Sequence, residues 1–412
     1  VRTLARILDG AASAWLLFWA GLTAVYVHAG GLAFAGLAAL LGGVGWIVWL
    51  AHARDVPVLD RSVLLAFAAF AAFFAWLGFT GTFSGAGPQT AGRLALLMGL
   101  SAAVPALMLT RTERVRDWLA GVLMATAVLG AAVLLLDVAT GYSLSMWVDP
   151  VGSSGGDPDG RRGEVEMTIG RAHVSWILLT PLLLALFATR LKPGTARLAA
   201  AAFLVLLLAG TGLNGLAIVP LVLLGMIPFG LVAFRAPVLG LRLSLGALIL
   251  SILGAPLIGL AASTASETFM ARLPMSWDHR LRMWDYGWTM IRERPWQGFG
   301  LDVSRGIEAT FMTRIGVEWP IVSLHPHNVG MQTWMEAGGV GAALLSLALL
   351  SLFPLLRRLA ANDPWRATAL SGLFAGVAIG GMATVGAWQY WWWGLIALAA
   401  AWTLLIPVTR RA

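Results

Sequence analysis

The sequence predicts an all-α polytopic membrane protein with about 12 transmembrane helices and one large loop late in the chain. Of the 412 residues, 59 % are hydrophobic and only 12 % are charged, and apolar runs follow one another along the chain. Soluble domains average about 25 % charged residues, so this chain cannot cover a water-facing surface. The same composition argues against a disordered chain. Because cysteine is absent, disulfides, thiolate zinc sites and cysteine nucleophiles are excluded.

Twelve apolar runs have about the length that a membrane-spanning helix needs. They cover 11–28, 31–51, 62–81, 91–110, 117–137, 171–189, 198–212, 215–234, 243–265, 329–356, 367–387 and 390–409. The first run leads straight into the second, so we expect an uncleaved anchor and not a signal peptide. This divides the chain into spans one to nine (1–265), a cap loop (266–328) and spans ten to twelve (329–412).

The placement of basic residues predicts that both termini are cytoplasmic. With that orientation, every inner connection is basic: Arg2 and Arg6; Arg54 and Arg61; Arg111, Arg114 and Arg116; Arg190, Lys192 and Arg197; Arg235 and Arg242; Arg357, Arg358 and Arg366; Arg410 and Arg411. The short outer connections carry none, in agreement with the positive-inside rule. Because the basic residues are scattered and form no patch, nucleic acid is not an expected partner.

The outer connections are where we look for chemistry. The segment Gly152 to Gly163 has the composition of a flexible loop. In the cap, apolar residues recur at helical spacing between Asp278 and Arg294, which predicts an amphipathic helix capped by Asp278 and ended by Pro295. A second helical piece is expected from Asp302 to Thr313. The aromatic cluster 388–393 is interpreted as an interfacial belt.

The strongest candidate for chemistry is the sequence His325-Pro326-His327-Asn328, which ends the cap. A histidine accepts a proton near neutral pH and so suits the role of general base. Asn328 can cap the following helix or orient a histidine. A capped polar turn without chemistry explains the spacing equally well. Two histidines could also bind a metal, but no third ligand is evident nearby, so we predict no metal site.

Three arginines near predicted outer membrane edges are candidate anion ligands: Arg93, Arg171 and Arg280. Charge near hydrocarbon is costly and tends to be functional, although snorkelling to lipid headgroups explains Arg93 and Arg171 as well. Together with a histidine they suggest a pocket for an anionic lipid-linked substrate. Glu336, about two turns into the tenth span, could pair with an arginine or assist His327, and a structural salt bridge is the simpler interpretation.

Two stretches of the chain resemble the O-antigen ligase family of Gram-negative inner membranes, within the superfamily that includes the O-antigen polymerases. The first resembles the family element H-x-H-N-x-x-L-Q…E-x-G, with Met331 in place of the usual leucine. The second resembles R-x-x-x-W…P-x-x-G-x-G. Their residues here are His325-Pro326-His327-Asn328, Gln332, Glu336-Ala337-Gly338, Arg280, Trp284 and Arg294-Pro295-Trp296-Gln297-Gly298-Phe299-Gly300. One departure is Leu213-Asn214-Gly215, where relatives commonly have Ser-Arg-Gly, so an arginine contact is missing there.

The resemblance implies a GT-C-like fold with a helical periplasmic cap between helices 9 and 10. It implies transfer of a polysaccharide from undecaprenyl diphosphate to a sugar hydroxyl of lipid A–core, without metal, ATP or other cofactor and with inversion. The implied roles are His327 as general base, Arg171 and Arg280 on the diphosphate with Arg93 assisting, and His325, Asn328 and Glu336 in support. The implied place is the Gram-negative inner membrane, with the active site on the periplasmic face and membrane lipids as neighbours.

Other functions remain open at this point. An O-antigen polymerase or a protein O-oligosaccharyltransferase would use the same carrier. A transporter of lipid-linked glycans would show internal repeats and polar residues at the bilayer midplane. The sequence shows no convincing repeat, and its informative charges gather at the outer edge, which favours an enzyme.

Overall fold

The structure is a computed structural model that describes residues 2–51, 61–85, 88–149 and 157–408. Before the cap, these residues form α1 (Arg2–Gly21), α2 (Thr23–His28), α3 (Phe34–Ala51), α4 (Arg61–Gly81), α5 (Gln89–Ser101), α6 (Val104–Leu109), α7 (Glu113–Ala139), α8 (Ser143–Val148), α9 (Pro158–Arg190), α10 (Pro193–Leu213), α11 (Ile218–Arg235), α12 (Pro237–Leu253) and α13 (Ala255–Ser263). The cap, residues 266–328, contains α14 (Glu267–Met270), α15 (Met275–Glu293), a 3₁₀ turn (Val303–Gly306) and the strands β1 (Thr310–Met312) and β2 (Glu318–Pro320). After it come α16 (Val329–Ser351), α17 (Phe353–Ala360), α18 (Pro364–Gly381), α19 (Tyr390–Trp402) and a 3₁₀ turn (Thr403–Leu405).

The architecture confirms an all-α, multi-pass membrane protein. Within the described ranges, eight helices are long and apolar enough to cross a membrane, or nine if α12 and α13, bent by 49° at Gly254, count as one span. The expected spans at 11–28, 367–387 and 390–409 also coincide with helices, which do not meet that criterion. The count of twelve therefore stays a prediction.

The helix α18 lies at the centre of the bundle, where α9, α11 and α12 pack against it. Its small residues permit this close approach, as is usual between membrane helices. A Cβ at Gly372 would come within 2.7 Å of Pro181 on α9, and a Cβ at Gly376 would overlap Met226 on α11. The middle of α18 is therefore packed closely against α9 and α11.

The helix α16 is interrupted at Gly338, and a loop from the cap fills the interruption. Gly338 has φ 66° and ψ −172°, a conformation that breaks the helical hydrogen bonds. The loop 295–300 replaces them: the N–H groups of Phe299 and Gly300 donate to the carbonyls of Met335 and Glu336, at 2.9 Å each. In return, the N–H of Gly339 donates to the Pro295 carbonyl at 2.8 Å. The glycine-rich element of the family resemblance is thus a docking segment.

The cap confirms one predicted helix and corrects another. The amphipathic helix is present as α15, and it ends before Pro295 as expected. Asp278 is not its cap, because the helix begins earlier, after Pro274; the Asp278 carboxylate is buried and pairs with Arg282 at 3.2 Å. The helical piece expected from Asp302 to Thr313 is wrong. That stretch holds a short 3₁₀ turn and then β1, which pairs antiparallel with β2.

Two further expectations need correction. The loop expected at Gly152–Gly163 is helical from Pro158 onward, because Asp157 caps α9 and Pro158 occupies its first turn. Residues 152–156 of this loop lie outside the described ranges. The predicted cytoplasmic residues Arg54, Arg410 and Arg411 also lie outside them. The aromatic cluster 388–393 is not simply an interfacial belt. Trp388, Trp391 and Trp392 are buried inside the bundle.

The interruption of α16 predicts a sharp position dependence for glycine substitutions. A Cβ at Gly338 would lie 2.2 Å from the Trp296 carbonyl oxygen and would also strain its positive φ. We expect Gly338→Ala to lower the free energy of unfolding by roughly 1–3 kcal/mol or more. Gly121→Ala on α7, where nothing lies within 4 Å of the added Cβ, is the control. Thermal unfolding in detergent measures both, and equal melting temperatures would contradict the docking role of this glycine.

Candidate active site

The turn His325–Asn328 is fixed at both ends by hydrogen bonds. The Asn328 side chain accepts from the Met331 N–H at 2.9 Å and so caps α16 as predicted. On the cap side, the Trp284 indole of α15 donates to the Pro326 carbonyl at 2.9 Å. Between them, His327 has φ 50°, in the left-handed region that non-glycine residues rarely adopt. Such strain persists only where the surroundings enforce it, and it is typical of functional sites.

The imidazole of His327 is oriented by a backbone carbonyl. Its Nδ1 lies 3.2 Å from the carbonyl oxygen of Thr384, in the segment after α18. A carbonyl can only accept, so this contact assigns the proton of the neutral ring to Nδ1. The lone pair is then on Nε2, the nitrogen not used by this contact. The arrangement gives His327 the tautomer that a general base needs.

Arg280 of α15 is bound to the carbonyl next to the one that His327 uses. Its Nε donates to Ala383 at 3.1 Å, and its Nη1 donates to Ser276 in its own helix at 2.7 Å. Among the described residues, no carboxylate pairs with this guanidinium, and no group accepts from Nη2. Arg280 and His327 are therefore brought to one place by adjacent carbonyls, with a half-buried positive charge left unneutralised.

Burial and charge keep both histidines neutral. Burial, and then the positive charge of Arg280, lower the pKa of His327 from 6.5 to about 4. Burial, His327, Arg305 and Arg280 together lower the pKa of His325 to about 3. Burial also lowers the pKa of Arg280, although a guanidinium remains charged at neutral pH. At neutral pH the site therefore holds a neutral imidazole base beside a cation.

His325 supports the turn from inside. Its Nδ1 accepts the backbone N–H of His327 at 3.2 Å, and the two rings meet edge to face with centroids 4.5 Å apart. Its Nε2 lies 2.9 Å from the side-chain amide nitrogen of Gln389, whose oxygen accepts from the Trp391 indole at 3.0 Å. His325 is thus a buried residue in direct contact with both His327 and Gln389.

Glu336 pairs with no arginine in the part of the chain that the structure describes, which corrects the salt-bridge interpretation. The fully buried carboxylate accepts from the hydroxyl of Ser304 at 2.6 Å, from Gln332 at 2.9 Å and from the Trp388 indole at 2.5 Å. It also accepts from the backbone N–H of Asp302. Glu336 therefore ties the cap to α16 and to the segment before α19, and it has no hydrogen bond to His327.

Among the described residues, no hydrogen bond or ion pair joins Arg171 or Arg93 to His327 or Arg280. Arg171 donates to Thr168 at 3.1 Å within α9, and its Nε is buried without a hydrogen-bond partner among the described residues. It lies beside the turn at Gly30. The next residue of that turn, Gly31, packs against Trp391, whose indole donates to the side chain of Gln389. Arg93 is exposed on α5 and has no hydrogen bond or ion pair with any described residue.

The sequence interpretation missed several residues of this site. Ala383, Thr384 and Gln389 act through a backbone carbonyl or a single amide, which leaves no recognisable mark in the sequence. Asn214, at the departure from the family pattern, accepts a hydrogen bond from Tyr142 at 2.5 Å, which ties its turn to the turn between α7 and α8. Within the described ranges, no three His, Asp or Glu side chains form a group suited to a metal ion.

Part of this chain is similar to a known protein family. Residues 174–346 match the family model described as O-antigen ligase. A protein of Rickettsia conorii with the provisional name of polysaccharide ligase is 33 % identical over 131 residues, 31 % of each chain. A similarly named protein of Rickettsia bellii is 28 % identical over 190 residues, 44 % of each chain. The matches thus span about a third to under half of the relatives' length. The matched residues 174–346 include α15 and the turn at His325–Asn328, so the part of the chain that carries the candidate site is similar to the O-antigen ligase family.

Proposed function

We propose that the protein is an O-antigen ligase, which transfers a polysaccharide from undecaprenyl diphosphate to a sugar hydroxyl of lipid A–core. The observation that carries the proposal is the neutral His327 with a free Nε2 lone pair beside the unpaired Arg280. The match of residues 174–346 to the O-antigen ligase family model supports it, and so do the names of the Rickettsia relatives. In this proposal the protein lies in the Gram-negative inner membrane, its active site faces the periplasm, and both termini are in the cytoplasm.

The reaction needs a base and a cation, and this site supplies one of each. Nε2 of His327 takes the proton of the acceptor hydroxyl as its oxygen attacks the anomeric carbon of the donor. The bond from that carbon to the phosphate oxygen breaks, and the diphosphate leaves with the electron pair. Attack opposite to the leaving group inverts the anomeric configuration. Because the diphosphate is already a good leaving group, no metal or cofactor is needed in this scheme.

The negative charge that develops on the leaving diphosphate is stabilised by Arg280. Its free Nη2 can donate to a phosphate oxygen, and a charge-assisted hydrogen bond of this kind is strong. Arg171 and the exposed Arg93 are assigned to the outer phosphate and to the approach of the carrier. His325 and Asn328 hold the strained conformation of His327, and Glu336 holds the cap against α16.

A transfer assay tests the proposal. Purified protein in detergent, with chelator present, is given polysaccharide on undecaprenyl diphosphate, with and without lipid A–core. A shift of lipid A–core to a ladder of larger products establishes a metal-independent ligase. Lengthening of the carrier-linked chain without that shift would instead establish a polymerase, and transfer to a protein would establish an O-oligosaccharyltransferase. Movement of the carrier across a vesicle membrane without any covalent product would establish a transporter.

Replacement of His327 separates catalysis from binding. We expect His327→Ala to lower kcat by about 10²–10⁴-fold, the usual contribution of a general base, while donor affinity stays within a few-fold of wild type. Single-turnover transfer and equilibrium binding of the donor measure the two quantities. Equal losses of turnover and binding would contradict the role as base.

Replacement of Arg280 tests the leaving-group contact. We expect Arg280→Ala to lower kcat/KM by about 10²-fold or more, and Arg280→Lys to restore only part of it, because lysine lacks the planar fork of the guanidinium. Arg292→Ala is the matched control, since Arg292 is exposed on the same helix and stacks on Trp288. If Arg280→Ala and Arg292→Ala have the same small effect, Arg280 does not contact the diphosphate.

The depressed pKa of His327 predicts the pH profile. Protonation removes the base, so kcat/KM is expected to fall only as the pH drops through about 4, the pKa in the folded protein, and not through 6.5. Arg280→Gln removes a positive charge that opposes protonation, so the acid limb of the residual activity should move to higher pH. An acid limb of the wild type near pH 6.5 would show that His327 is not buried beside a cation during turnover.

A further inference from the structure

The imidazole of His325 is approached by two hydrogen-bond donors, one at each ring nitrogen. The backbone N–H of His327 lies 3.2 Å from Nδ1, and the side-chain amide nitrogen of Gln389 lies 2.9 Å from Nε2. The ring cannot move away from either donor, because it is buried and packs on Gly386, where a Cβ would lie only 2.7 Å from its Cγ. The two donors therefore compete for one imidazole.

The indole of Trp391 determines which way the amide of Gln389 faces. The oxygen and nitrogen of a side-chain amide are assigned from their hydrogen-bond partners. Here the partner is the indole N–H of Trp391, which can only donate and lies 3.0 Å from the amide oxygen. Trp391 is itself buried and packs edge to face on Trp392. Because the oxygen of Gln389 is occupied, its nitrogen must face His325 as a donor.

A neutral imidazole cannot accept from both donors. One of its nitrogens carries the proton and only the other has a free lone pair. The bond from His327 to Nδ1 and a bond from Gln389 to Nε2 consequently exclude one another. A protonated ring would accept from neither, and burial, the main cause of the low pKa of about 3, keeps His325 neutral. The ring thus has two competing tautomers, and the shorter of the two contacts belongs to Gln389.

The competition acts on the peptide bond that precedes His327. The carbonyl of this peptide belongs to Pro326 and accepts from the Trp284 indole at 2.9 Å. Its N–H belongs to His327 and, among the described residues, has Nδ1 of His325 as its partner. The orientation of this peptide bears directly on the φ of 50° at His327. When Gln389 takes the lone pair of His325, the carbonyl end of the peptide stays fixed and the N–H end is released.

We propose that Gln389 is a positioning residue for His327, which acts by drawing the lone pair of His325 away from the N–H of His327. The proposal rests on the proposed function for the role of His327 as the base. With one end of the peptide released, the turn can pivot about its bond to Trp284, and Nε2 of His327 can follow the acceptor hydroxyl during proton transfer. Placement matters at this scale, since a displacement of about 1 Å can cost about 10²-fold in rate.

The tautomer of His325 tests the proposal without any substrate. Full-length protein with ¹⁵N-labelled histidine is measured by NMR in detergent, because protonated and unprotonated ring nitrogens have well-separated shifts. The signals of His325 are assigned by their loss in His325→Gln. In wild type, a large fraction of the molecules should carry the proton on Nδ1. A wild-type ring with its proton on Nε2 alone would overturn the proposal.

Two variants should move that proton to Nε2. Gln389→Glu replaces the donor by an acceptor, and Trp391→Phe lets the amide of Gln389 turn its oxygen towards His325. Trp392→Phe, the same change at the neighbouring buried tryptophan, leaves the indole of Trp391 in place and should not alter the tautomer. If Trp391→Phe and Trp392→Phe give the same ring signals as wild type, the amide of Gln389 does not select the tautomer.

Turnover separates positioning from packing. Gln389→Glu and Trp391→Phe fix the peptide at both ends, so each should lower kcat about tenfold, while KM for the donor and the melting temperature stay close to those of wild type. A role in packing alone would lower kcat and the melting temperature together. An unchanged kcat in both folded variants would contradict the positioning role.

The outcomes also distinguish this proposal from the proposed function. Transfer that depends on His327 but proceeds at the wild-type rate in folded Gln389→Glu would overturn the role of Gln389 and retain the ligase. The expected tautomers without transfer to any acceptor would contradict the proposed function and retain the selection of the His325 tautomer by Gln389. The wild-type tautomer decides the matter even where a variant fails to fold.

Discussion

A helix interrupted inside a membrane must have its freed backbone groups paired, and this requirement organises the outer half of the protein. Unpaired N–H and C=O groups in hydrocarbon cost several kcal/mol each. The loop 295–300 supplies the missing partners of α16 at Gly338, and the Trp76 indole adds another by donating to the Ala337 carbonyl at 2.8 Å. Because this loop directly follows α15, its docking also fixes where α15 ends and how it lies above the bundle.

The segment between α18 and α19 binds side chains from both the cap and the turn before α16, and so brings the candidate site together. Its backbone is irregular, so its carbonyls are free to accept from side chains, and two neighbours do so: Ala383 from Arg280 and Thr384 from His327. Gln332 of α16 accepts from the Ala387 N–H at 2.7 Å and holds the same segment from the other side. A cation from the cap and a base from the turn thereby meet, although they lie 47 positions apart in the sequence.

The sequence indicated the local features of this arrangement well and its long-range contacts poorly. Hydrophobic periodicity located α15, and the Asn328 cap followed from residue type and position. The break at Gly338 was not predicted, because a glycine in an apolar run is common in membrane helices. Trp388 was interpreted as interfacial because its partner, Glu336, is remote in sequence. The sequence pattern extends a helix over β1 because this strand is too short for an alternating pattern to show.

The central claim is that Arg280 and His327 serve one substrate from opposite sides of a single site. A structure of the full-length protein with a non-hydrolysable undecaprenyl diphosphate sugar bound tests this most directly. The account predicts a phosphate oxygen about 3 Å from Arg280 Nη2, with Nε2 of His327 facing the anomeric carbon from the side opposite the diphosphate. A diphosphate bound elsewhere, with His327 Nε2 turned away from the sugar, would contradict it.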